Sequence, residues 1–104
     1  MTNIKTPPAH PGEHLEYKLF RRGMTQSDAA RKLGIRSPVL NRCIREIHPL
    51  STTLAIRLER AGVGKAVQWL AWQTEYDLYR ASFMCFSDVH PFPLVYTGTG
   101  KDSE

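Results

Sequence analysis

Between positions 36 and 45 the chain gathers side chains that can read bases and grip phosphates: Arg36, Ser37, Val39, Asn41, Arg42 and Arg45. Arginine can bond guanine O6 and N7 through two parallel hydrogen bonds, asparagine can do the same for adenine N6 and N7, and valine can touch a thymine methyl. Arg36, Ser37, Val39, Asn41 and Arg42 lie where the beginning and outer face of a short helix would meet base edges. Arg45, one turn on from Asn41, suits a phosphate. Gln26 begins another helical stretch, where free amides and the helix dipole favour a phosphate. Arg22 and His48 are further candidates for phosphate contact.

No other grouping promises chemistry. His10 and His14 are four apart, but Pro11 and Gly12 between them break any helix that would align them, so no metal site is expected. The two cysteines, Cys43 and Cys85, give neither a disulfide framework nor a metal spacing. Cys43 falls at an apolar helical position and is expected to be buried as a small hydrophobe. A Ser/His/Asp set, a glycine-rich phosphate loop and paired carboxylates are all missing, which argues against an enzyme and against a cofactor.

Short helices must position the basic residues. Thr25 is a good N-cap, because its hydroxyl can accept a bond from an amide that the first helical turn leaves unpaired. Ala29 and Leu33 then share one face, and Gly34 can take the left-handed conformation that ends a helix. A helix over Thr25–Leu33, a tight turn and a second helix from Pro38 to about Glu46 make a helix-turn-helix. Ser37 can cap that second helix, with Pro38 at its first position. Leu40, Cys43 and Ile44 point inward from it.

Before this unit, Gly12–Arg22 fits a helix with Leu15 and Leu19 inward. After it, a helix capped at Ser51 or Thr52 carries Leu54, Leu58 and Ala61, and Gly62-Val63-Gly64 breaks it. A fifth helix spans about Ala66–Phe83, with Trp69, Trp72, Tyr76 and Tyr79 at helical spacing. Residues 1–11 read as an arm, 12–83 as the helical domain and 84–104 as a tail, with a short strand expected at Pro93–Thr97 and disorder after Gly98. The fold class is all-α.

A chain of 104 residues makes one small domain whose core is modest. It lacks an apolar run long enough to span a membrane and an apolar signal-peptide centre, so a cytoplasmic protein is expected. Its formal charge of +4 is uneven. Residues 12–60 hold ten Lys/Arg against five Asp/Glu, whereas residues 61–104 hold three against five. The basic part suggests an anionic partner.

Five helices with these caps and glycines resemble the lambda-repressor-like helix-turn-helix domains. A narrower resemblance rests on two signatures. His10-Pro11-Gly12-Glu13-His14-Leu15 looks like the "HPGE-L" entry of the HigA family of addiction-module antitoxins. Trp69-Leu70-Ala71-Trp72-Gln73-Thr74-Glu75-Tyr76-Asp77-Leu78 is similar to that family's "W-L-x-L-Q-x-x-Y-D-L" signature. The match runs without gaps over about residues 10–81. The chain departs from the family pattern at Arg36, usually small and polar, and at Arg45-Glu46, usually an Asn-Gly-like turn. The usual Ser-Pro-Glu cap before the fifth helix is also replaced, in the stretch Gly62–Trp69.

The resemblance implies a DNA-binding antitoxin that represses its own operon and blocks a HigB-type ribonuclease toxin. It also implies that Gln26 bonds phosphate and braces the third helix, while the altered residues of that helix imply a different operator. A homodimer on a palindromic operator is expected, with Leu70, Trp72 and Tyr76 as its interface, since one short chain cannot easily bury them all. The toxin would meet the amino-terminal arm and first helix, or the acidic carboxy-terminal part. Rival readings are a stand-alone repressor and a protein-interaction module that has lost DNA binding.

Overall fold

The computed structural model describes residues 7–94. Five helices follow one another: α1 (Pro11–Arg21), α2 (Gln26–Leu33), α3 (Ser37–Ile44), α4 (Thr52–Arg60) and α5 (Ala66–Ala81). No strand occurs among the described residues. Pro93 and Leu94 are irregular; the rest of the expected strand, and the disorder expected after Gly98, lie outside the described residues.

Local chemistry explains most of the boundaries. α1 starts one residue earlier than its periodicity suggests, because the His10 ring is its cap: Nδ1 accepts from the Gly12 amide at 2.8 Å. Thr25 caps α2 by accepting from the Asp28 amide at 3.1 Å, and Gly34 closes that helix at φ 74°. Ser51 caps α4 through the Leu54 amide. The expected cap of α3 is corrected. Ser37 is the first helical residue and Arg36 the N-cap, with no side-chain bond, because Pro38 is accommodated in the second position of the first turn. Ala61 is also corrected: it is the exposed C-cap of α4, whose inner face is Leu54, Ala55 and Leu58.

α5 lacks a capping side chain of its own at Lys65. The carboxylate of Glu59, from the last turn of α4, accepts from the Ala66 amide at 2.7 Å instead. This replaces the missing Ser-Pro-Glu cap and fixes the start of α5. The helix ends at Ala81, two residues short of the expected Phe83.

The core is built on Leu15, Leu40, Ala55, Leu58 and Trp69, each at most 1% exposed. Cys43 is buried with them, as its position predicts, and burial pushes its thiol up to about 11. α3 packs against both α1 and α2, while α5 packs against α4 and α1. The α1–α3 contact is close enough that a Cβ on Gly12 would overlap the Cys43 carbonyl oxygen.

Candidate nucleic-acid interface

The α2–α3 pair is braced from two sides. Asn41, midway along α3, donates from Nδ2 to Oε1 of Gln26, the first residue of α2, at 2.9 Å. Arg57 of α4 donates to the Leu33 carbonyl at 2.9 Å, satisfying an acceptor that the end of α2 leaves unpaired. Gly34 is favoured there by its positive φ, and a Cβ would also lie 2.9 Å from the Arg57 guanidinium, which would have to shift to make room. The sequence gives no local signal for Arg57, because its partner comes from another helix.

On this frame Arg36, Ser37, Val39, Arg42 and Arg45 are all exposed. Arg31–Asp28 is the single ion pair among the described residues, so the three arginines of this surface have no carboxylate partner there. Asn41 and Gln26 are half-buried. Their mutual bond uses one Asn41 donor and occupies the Gln26 oxygen. The Gln26 amide nitrogen and the Asn41 carbonyl oxygen stay available, so the pair presents a donor beside an acceptor. Asn41 is thus both brace and candidate reader. His48 is exposed beyond α3, and Arg22 donates to the Lys18 carbonyl of its own helix.

The aromatic set of α5 is shared with α1. The Trp72 ring stacks on His14 at 3.8 Å and 9°, and Tyr76 meets His10 edge-on at 4.9 Å. Leu70, Trp72 and Tyr76 are half-buried, with Leu70 and Trp72 packed on the core. Burial lowers the proton affinity of both histidines. Among the described residues no three His, Cys, Asp or Glu side chains gather to hold a metal. Gln73, passed over on sequence, is buried: it accepts from the Leu50 amide at 2.7 Å and donates to Asp77 at 2.9 Å. Its signals were a polar residue one turn from Trp69 on the inward face and its place, with Asp77, in the signature of the fifth helix. Among the described residues no helix is long and apolar enough to cross a membrane.

A capped helix, a glycine turn and a second helix with unpaired arginines define a lambda-repressor-like helix-turn-helix protein. No family model matches the sequence. Virulence-associated protein I of Dichelobacter nodosus is 34% identical over 76 residues, 72% of this chain and 70% of the relative. The Pseudomonas aeruginosa antitoxin HigA, solved with the higBA promoter, is 36% identical with a TM-score of 0.68, covering 71% of this chain and 82% of that one. Antitoxin GraA is 33% identical with a TM-score of 0.71, covering 74% and 84%. The chain belongs to the HigA family of antitoxins.

Proposed function

We propose that this antitoxin binds a palindromic operator as a homodimer, inserts α3 into the major groove and so represses its own operon. The observation that carries this is the exposed, unpaired face of Arg36, Val39, Arg42 and Arg45 on a helix braced by Gln26 and Arg57. The likeness to a HigA solved with promoter DNA supports it. A two-fold pair would set its reading helices about 34–36 Å apart, one turn of duplex. The α5 side of the domain is the dimer surface, away from α2 and α3. The protein acts by binding, without catalysing a reaction, in the cytoplasm. It also neutralises a basic HigB-type ribonuclease, whose charge complements the net acidic residues 61–104 or which meets α1 and the arm before it.

Binding to the DNA upstream of its gene, measured as salt is varied, tests the repressor reading. Arg45 from two copies should give a slope of log K against log salt of about −2, and phosphate contacts by all six arginines would bring it to about −5. No preference over random DNA at low salt would overturn it. Co-expression with the product of the adjacent reading frame tests neutralisation: relief of growth arrest is expected, and persistent arrest would refute the toxin partner.

A further inference from the structure

The last turn of α4 holds two helices at once. Arg57 donates to the Leu33 carbonyl at the end of α2, and Glu59 accepts from the Ala66 amide at the start of α5. The first bond ties α4 to the helix-turn-helix, the second to the helix on the dimer side. The chain between α4 and α5 is itself a soft joint: Gly62 and Gly64 stand at φ 82° and 97°, and glycine adds little stiffness. Lys65, the N-cap of α5, makes no side-chain bond. Two bonds set the angle of the joint. Trp69, fully buried, donates from Nε1 to the Val63 carbonyl at 2.7 Å. Glu59 supplies the other bond, also 2.7 Å, from the surface. The contacts of Trp72 and Tyr76 with α1 grip α5 only from its second turn onward.

We propose that Glu59 is a positioning residue for operator recognition: by tying α5 to α4 it fixes the angle between the dimer-side helix and the reader, and so the spacing of half-sites the protein accepts. The inference rests on the homodimer on a palindrome proposed above and names what fixes its span. The lever is long enough. A tilt of about 10° over the roughly 24 Å of the sixteen-residue α5 moves its far end by about 4 Å. That exceeds the ~3.4 Å between successive nucleotides along a strand. Two-fold symmetry repeats the angle in the second copy, so an error in one reading helix is doubled across the pair. A cap borrowed from α4 suits this role. A capping side chain at position 65 would serve the helix start as well while leaving the direction of α5 to the glycines. Arg57, two residues before Glu59, carries the constraint on to the α2–α3 turn.

Binding of the full chain to three duplexes tests this: the palindrome from upstream of its gene, and the same half-sites one base pair nearer and one farther. The parent should prefer the natural spacing at least tenfold. Glu59→Ala should cut that ratio at least threefold, whereas Glu59→Gln, which keeps an acceptor oxygen, should retain it. The ratio cancels any general change in charge or folded fraction, so equal losses at all three spacings would overturn the proposal. Glu59→Ala combined with Lys65→Ser separates tie from cap. The new hydroxyl can cap α5 locally, so the melting temperature should recover while the ratio stays low. A recovered ratio would mean that capping alone matters and would refute the tie. A parent that prefers the palindrome to a lone half-site yet ignores spacing would overturn the tie alone. One that binds a lone half-site as tightly would overturn the homodimeric reading itself.

Discussion

Arg42 and Arg45 stand one turn apart in purpose as well as in sequence. Arg42 lies within α3 and Arg45 is its C-cap; we propose the first for a base and the second for a phosphate. Arg42→Ala should cost about 1–3 kcal/mol on the operator and relax sequence preference. Equal losses on operator and random DNA, in parallel binding titrations, would reassign it to the backbone. Glu46, just past the reader, holds φ at +63° without being glycine. A left-handed conformation costs a residue with a Cβ roughly 1–2 kcal/mol, so Glu46→Gly should stabilise the fold by about 1 kcal/mol in urea unfolding. An unchanged or lower midpoint would mean that the Glu46 side chain repays its strain.

At the scale of elements, the position of the reading helix depends on how closely α1 approaches it. Gly12→Ala forces a Cβ into the Cys43 carbonyl. Overpacking of this kind typically costs about 1–3 kcal/mol, and α3 should loosen with it. Hydrogen exchange of the α3 amides should therefore quicken; exchange confined to α1 would break the proposed coupling. Helix starts and stops were legible in the sequence at Thr25, Gly34 and Ser51, but not at His10 or Arg36, although those caps are local too. The inward stripes of α1 to α3 were legible as well. Most contacts between elements were not. The resemblance implied that Gln26 braces the third helix, as its bond to Asn41 does, but the Arg57 brace and the Glu59 cap join helices whose docking no short window specifies. Pro11 and Gly12, expected to break any helix there, instead form the first turn of α1, and the His10 ring caps it by turning back on that turn. The packing of the α5 aromatics on His10 and His14 was not legible, because those partners lie far away in the chain.

For the molecule as a whole, the two α1 histidines tie stability to pH. Both are pressed toward the neutral form by burial, below their ordinary 6.5. Glu46 and Asp77 pull His10 the other way, as Glu13 and Glu75 do for His14, but burial prevails. The unfolded chain takes up protons near 6.5 while the folded one does not, so unfolding is favoured as pH falls below that value. The melting temperature should hold above pH 7 and drop between about 6.5 and the lower folded values. His10→Asn, which can still cap a helix but cannot titrate, should reduce that drop. A melting temperature independent of pH down to 5.5 would contradict the assignment.

The clasp of His10 on Tyr76 and His14 on Trp72 has a consequence for folding. It joins the first helix to the last, and Gly12 beside it rests on the end of the reading helix. Neither terminus of the domain can fray without stripping a partner from the other. A single cooperative unfolding transition is the expected outcome, checked by agreement of calorimetric and van't Hoff enthalpies. Trimming the chain back past His14 or past Trp72 would discharge the operator as surely as removing α3 itself.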